Sequence, residues 1–242
     1  MKYFLDTVET IPEGLGFSHF DATHFIWLAV GALLIALNCV VYRKLSDAGK
    51  SRWKKIVALL IVADELFKMV MLIIGDRYEV NYLPLHLCSV NIFLIAIHAW
   101  KPSRMLSGFL YTVCIPGAIA AMLFPTWTEL PVLNFMHLHS FTVLILLIMY
   151  PMVLAVSGEL NPQARELPKY LALLAGLAVI ALIANLLLDT NFMFLMSADP
   201  GNPLYVFQQL WGSHLLGFPV LIGAVLVVMY VPMGIFRKLK RK

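Results

Sequence analysis

Chemistry-bearing side chains gather where an otherwise apolar chain opens its third hydrophobic run, Asn81-Tyr-Leu-Pro-Leu-His-Leu-Cys-Ser-Val-Asn91, which continues apolar from Ile92 to Trp100. Its first turns carry an imidazole (His86), a thiol (Cys88), a hydroxyl (Ser89) and an amide (Asn91). Polar groups at membrane depth are costly, so they face the protein interior and are functional candidates by default. A thiol attacks as its thiolate, and a neighbouring imidazole can take the proton. His86 is a poor base for Cys88, because two positions on a helix point about 200° apart. A base from another helix fits better, and His137 and His139 enter at similar depth. By the same spacing only one of those two faces the thiol easily. The bland alternative is that Cys88 is a small buried packing residue and that the two histidines bond backbone or water.

Three further sets of residues compete for a role. His86, His137, His139, His214 and Asp189 could supply three ligands to zinc, but no pair has the i, i+4 spacing of helical zinc motifs, and no metal or other cofactor is expected. Asp64, Glu65 and Lys68 lie in the second apolar run. Glu65 and Lys68, three apart, can neutralise each other within one helix, or with Asp64 and Asp189 they could line an ion or proton path. Asn185, Asp189 and Asn191 close the sixth run and are candidate donors or pocket residues. Cys39 and Cys114 sit among apolar residues and read as packing.

The elements that must position these groups are long apolar helices. A bilayer-spanning helix needs about 20 mostly apolar residues. Seven segments qualify, at roughly 22–42, 53–75, 82–100, 105–125, 135–157, 167–188 and 213–236. Pro84 suits a first helical turn, and Pro102 and Pro162 fall in connections. The rise per residue places Cys88 roughly 9 Å into segment three. Fifteen lysines and arginines, from Arg43 to Lys55, at 101 and 104, at 165 and 169, and from Arg237 to Lys242, fall on one side; the other side has Lys2 and Arg77. Basic loops stay cytoplasmic, so the N-terminus is expected outside and the C-terminus in the cytoplasm. In that frame His86, Cys88, His137, His139, Asn185, Asp189 and His214 converge on the outer half of the bilayer. The connection from Thr190 to Ser213 is expected to run over that site, with Asn191-Phe-Met-Phe-Leu-Met196 as a lid.

Composition agrees. The 242 residues are 61% hydrophobic and 13% charged, about half the charged share of a soluble domain. The expectation is one all-α, polytopic membrane domain over residues 1–242, in a cell membrane. The net charge of +4 reflects topology and attraction to anionic lipid headgroups rather than nucleic-acid binding. Three cysteines in apolar runs give no disulfide framework. The first 20 residues, with Asp6, Glu9 and Glu13, do not read as a signal peptide.

Four pieces in order, Leu83-Pro-Leu-His-Leu-Cys-Ser89, Phe135-Met-His-Leu-His-Ser140, Asn191-Phe-Met-Phe-Leu195 and the prolines 200 and 203, resemble the YwaF-like family of bacterial integral membrane proteins, related to vertebrate transmembrane protein 164. The resemblance spans roughly segments two to seven and implies an ether-phospholipid acyltransferase type of chemistry, with the acyl group carried on a cysteine. It places the nucleophile on Cys88 and the base most naturally on His139, with Asn191 near the same pocket. Ser140 stands where many relatives have glycine, and His137 leaves the choice of base open. The expected function is therefore a lipid acyltransferase or lipid hydrolase acting on phospholipid or lysophospholipid in a bacterial plasma membrane. The alternative is a small ion-coupled transporter or ligand-binding seven-helix protein using Asp64, Glu65, Lys68 and Asp189.

Overall fold

The computed structural model describes residues 2–160, 162–199 and 201–239, with side chains as far as residue 231. Pro200, Lys240, Arg241 and Lys242, and the side chains of Arg237 and Lys238, lie outside the described residues. Among these residues all regular structure is helical: α1 (Ala22–Lys44), α2 (Asp47–Ile74), α3 (Leu87–Trp100), α4 (Arg104–Phe109), α5 (Ile115–Leu123), α6 (Phe135–Ser157), α7 (Leu167–Leu188), α8 (Pro203–Trp211) and α9 (Gly217–Leu239).

The centre of the bundle is α6. It is apolar on every face and packs against α1, α2, α3 and α5, which is how an all-round hydrophobic helix behaves. In its most apolar stretch 61% of residues are buried, against 17% for α1 and 11% for α7. The bare faces of the outer helices are leucine, isoleucine and valine. Six stretches are long and apolar enough to cross a membrane: Ala22–Lys44, Val80–Trp100, Arg104–Leu123, Phe135–Ser157, Ala164–Leu188 and His214–Val231. Apolar exposure on that scale is incompatible with a water-facing surface, and the protein is a multi-pass membrane protein. The expected seventh span, α2, is 28 residues long, but Asp64, Glu65 and Lys68 interrupt its apolar stretch, so apolarity alone does not mark it.

Several expected boundaries shift for identifiable reasons. Only Leu45 and Ser46 separate α1 from α2, because Ser46 caps Gly49 N; Lys50, Arg52, Lys54 and Lys55 are therefore on a helix, not in a connection. Pro84 lies before α3 rather than in its first turn, since a short 3-10 turn (Val80–Tyr82) and a further tight turn at Pro84 and Leu85 precede the helix. Cys88 is thus the second residue of α3, not one well inside it. The fourth segment is broken by a π-turn over Leu110–Cys114. Pro116 comes two residues after it, and its ring would meet the Thr112 carbonyl in a regular helix; widening by one residue avoids the clash. A second proline, Pro151 inside α6, cannot bond the Leu147 carbonyl, and the Cys114 thiol donates to that oxygen instead (3.5 Å). Cys114 therefore has a partner that the sequence did not suggest.

The first twenty residues close over the end of the bundle where α6 begins. Asn134 caps α6 through Met136 N and donates to the Tyr3 and Asp6 carbonyls (2.9 and 2.7 Å). Phe17 N donates to Thr128 O (2.8 Å), and Gly16 lies so close that a Cβ there would run into that carbonyl.

At the other end Glu159, just past α6, joins three helices. Tyr42 of α1 donates to it at 2.8 Å, Lys54 of α2 at 2.9 Å, and Lys50 lies 3.8 Å away. Burial pushes this carboxyl up, but the hydrogen bonds from Lys54 and Tyr42 and the two lysine charges outweigh it and hold it below the ordinary value. A carboxyl with a lowered folded value adds stability above its unfolded value, near 4.3, and loses it as pH falls through the folded value. The melting temperature should therefore fall on acidification below about pH 4, and Glu159→Gln should flatten that part of a melting-temperature profile in detergent.

Candidate active site

Helices α2, α3 and α6 pack on one another and bring the sequence candidates into two separate places. The first is an acidic clasp around His139, the fifth residue of α6. Its Nδ1 lies 3.4 Å from Asp64 Oδ1 and its Nε2 lies 3.6 Å from Glu65 Oε2. Neighbouring positions on α2 diverge by about 100°, and the imidazole sits in the angle between the two carboxylates. Glu65 turns its other oxygen to Lys68 Nζ at 2.5 Å, and both members are buried, at 4% and 6% exposure. The ion pair legible from the i, i+3 spacing is present, but it does not stand alone: it extends across the helix interface to a histidine.

Cys88 is on α3, which packs against both helices that form this clasp. Its thiol packs against the main core and is close enough to Glu65 to feel its charge. Asn91, one turn on and on the same face, is buried with no partner for Oδ1. Asp64 Oδ2 and His139 Nδ1 are likewise buried without a hydrogen bond. Three polar atoms with unused capacity thus occur on the three helices that meet here, and buried polar groups in a folded protein are otherwise nearly always paired. The start of α3 has no side-chain cap, and its first intrahelical bond is from Val90 N to His86 O. The amides of Leu87, Cys88 and Ser89 are among the unpaired donors that every helix start presents. Ser89 is half-buried.

His137 goes elsewhere. Its ring is fully buried, with ring centres at 5.0 Å from Phe17, 5.7 Å from Trp27 and 5.2 Å from Phe141. Nδ1 meets the Leu130 carbonyl at 3.1 Å and so carries the hydrogen. The 200° divergence read from the spacing sends one histidine into an aromatic cage beside α1 and the other to the carboxylates of α2.

The remaining candidates build the cover. Asn185 accepts from Phe192 N (2.7 Å) and Thr190 Oγ1 (3.0 Å) and donates to Phe192 O (3.1 Å). Asn191 folds the next turn by accepting from Met196 N (3.0 Å) and donating to Ser197 Oγ (2.9 Å). Both amides bond this segment, whose Met193 and Phe194 have positive φ of 58° and 55°. Non-glycine residues held there carry strain that the surrounding bonds must enforce. Phe192 is buried edge-on against His86, with ring centres 5.2 Å apart. Met193 N donates to His86 Nδ1 at 3.4 Å, which puts the His86 hydrogen on Nε2. His86 also lies within electrostatic range of Lys68. His214 contacts Leu195 O at 3.4 Å. Asp189 caps α7 in the left-handed conformation and is exposed. The segment after α7 thus sits on His86, two residues from Cys88. Among the described residues no three His, Cys, Asp or Glu side chains are grouped to hold a metal ion.

Sequence reasoning missed a polar group at the other end of α3. His98 bonds Tyr150 Oη through Nδ1 (2.9 Å) and Ser107 Oγ through Nε2 (2.8 Å). Its place two residues before the end of an apolar helix hid it; the nearby Ser103 and Ser107 were the available signal.

No curated protein and no solved structure matches the chain. The model of the TMEM164 family matches residues 17–230, a span that holds the acidic clasp, Cys88 and the segment over His86. The chain belongs to the TMEM164 family.

Proposed function

We propose that this protein is a membrane-embedded lipid acyltransferase or lipid hydrolase that carries the acyl group as a thioester on Cys88, with His139 as base. The observation that carries the reading is the clasp: an imidazole with a carboxylate at each nitrogen, on helices packed against the one that opens with the thiol, in a chain of this family. The arrangement favours His139 over His137, whose Nδ1 hydrogen is committed to Leu130.

In the first half-reaction Cys88 Sγ attacks the ester carbonyl carbon while its proton passes to His139. Asp64 and Glu65 stabilise the imidazolium so formed, the role a carboxylate plays behind a catalytic histidine. The carbonyl oxygen gains negative charge, and the first amides of α3 and His86 Nε2–H are donors in reach of the α3 start. Asn185 and Asn191 are not chosen for this, because their amide groups already bond the cover. The C–O bond breaks, the leaving oxygen takes the proton from His139, and a lysolipid departs. A lysolipid hydroxyl or water then gives its proton to His139 and attacks the thioester, which restores the thiol. In this reading α2 is a seventh span, the basic end is cytoplasmic, and the site lies at the outer leaflet of a bacterial plasma membrane, near the depth of phospholipid ester carbonyls.

A second reading, an ion-coupled transporter, draws on the buried Glu65–Lys68 pair and the unpaired Asp64 Oδ2. Since Glu65 also contacts His139, Glu65→Gln does not separate the readings, and Cys88 must. Intact mass of the purified protein after incubation with mixed phospholipids tests it. An acyl-sized mass increase, removed by hydroxylamine and absent in Cys88→Ala, is expected. No adduct after rapid quenching, with lipid-dependent function retained in Cys88→Ala, would replace this reading with the transporter.

A further inference from the structure

A second site stands at the lysine- and arginine-rich end. A cleft of about 460 Å³ opens there, lined by Lys54, His98, Ser103, Arg104, Ser107 and Glu159 among others. His98 is ten residues beyond Cys88 on α3, which puts the cleft about 15 Å along the helix from the thiol. A lipid ester held at Cys88 does not occupy it.

The polar groups of its wall are fixed. Ser107 Oγ gives its hydrogen to Ser103 O (2.9 Å), so it accepts from His98 Nε2–H, and Tyr150 donates to Nδ1. Ser103 Oγ accepts from Leu106 N as the cap of α4 (3.1 Å) and keeps its own hydrogen to donate. The charges do not balance. Lys54 and Arg104 line the cleft with Glu159, and Lys50, Lys169 and Glu166 stand behind that lining as their ion-pair neighbours, so four cations meet two carboxylates in and around it. The contacts of Arg104 and Lys169 with Glu166 are long, 3.8 and 4.0 Å, and the Arg104 side chain is 59% exposed. Its guanidinium is held by that one long contact and has donors left to turn to a ligand.

We propose that this cleft binds a phosphate monoester. The excess of positive charge in and around the cleft favours an anion, and the arginine fork offers the paired donors that a phosphate accepts. Ser103 supplies a neutral donor, and Glu159 keeps Lys54 on the wall. The same chemistry comes from two sources, a soluble monoester or a phosphatidic acid headgroup in the membrane surface. The proposal is independent of Cys88, and Cys88→Ala should leave the binding unchanged.

The test is thermal unfolding of the full chain in phosphatidylcholine nanodiscs. One arm titrates glycerol 3-phosphate against chloride of equal ionic strength; the other adds phosphatidic acid to the disc. A saturable rise in melting temperature in the first arm assigns the soluble source, and a rise in the second arm alone assigns the lipid. In either case Arg104→Gln should weaken binding about tenfold or more, the scale of one lost hydrogen bond to a charged group. Arg104→Lys, which keeps the charge and loses the fork, serves if the first variant folds poorly, and it too should bind less tightly. No rise in either arm, or an equal rise in both Arg104 variants, overturns the proposal.

Discussion

His139→Gln is expected to lower turnover on phospholipid by about 10²- to 10⁴-fold, the usual contribution of a positioned general base. Glutamine fills similar space and can still bond Asp64 or Glu65, so the loss should come without a comparable loss of fold. His137→Gln should behave in the opposite way. It removes a ring packed among Phe17, Trp27 and Phe141 and its bond to Leu130, which costs about 1 to 3 kcal/mol when a buried partner is left unpaired. Its melting temperature should fall while turnover of the folded fraction changes less than about tenfold, since no proton transfer runs through it. Turnover and melting temperature measured on both variants decide the matter. If His137→Gln loses the greater activity at unchanged stability, the base is the caged histidine and the acidic clasp serves another purpose.

These opposite expectations rest on a distinction that the sequence held in part. Two histidines two residues apart on a helix must diverge, and they do. Which one meets a carboxylate was not legible, because that depends on how α2 is rotated against α6, a tertiary fact with no local signature. The boundaries of α6 and α7 followed the apolar pattern closely, since Asn134 and Gly158 cap the one and left-handed Asp189 ends the other. The start of α3 did not, because an apolar run continues through residues that are not helical. The helix α8 and the π-turn were missed for related reasons: one is a short amphipathic piece inside a loop rich in proline and glycine, and the other is forced by Pro116 against the rhythm of its neighbours. Asn185 and Asn191 looked like pocket donors by depth alone. Their side chains are consumed by backbone groups a few residues away, as asparagines in turns commonly are.

Lys68→Met should be the most destabilising single change near the site. It leaves the Glu65 carboxylate buried at 4% exposure without its ammonium partner, and breaking a buried pair from one side costs about 3 to 5 kcal/mol. Inside a bilayer the effect is not softened by apolar gain, because lipid is as apolar as methionine and helix association relies on packing and polar ties. Adding Glu65→Gln should restore most of the lost stability, since no unpaired charge remains. It should not restore activity, because His139 then has one carboxylate rather than two to hold its charge during proton transfer. Melting temperature in detergent and turnover, measured on the single and double variants, separate the two effects. Recovery of both in the double variant would make Glu65 a packing partner only and leave Asp64 as the sole carboxylate acting on His139. Recovery of neither would mean that Lys68 is held by more than Glu65, and its proximity to His86 would then tie the ion pair to the cover over Cys88 rather than to the base.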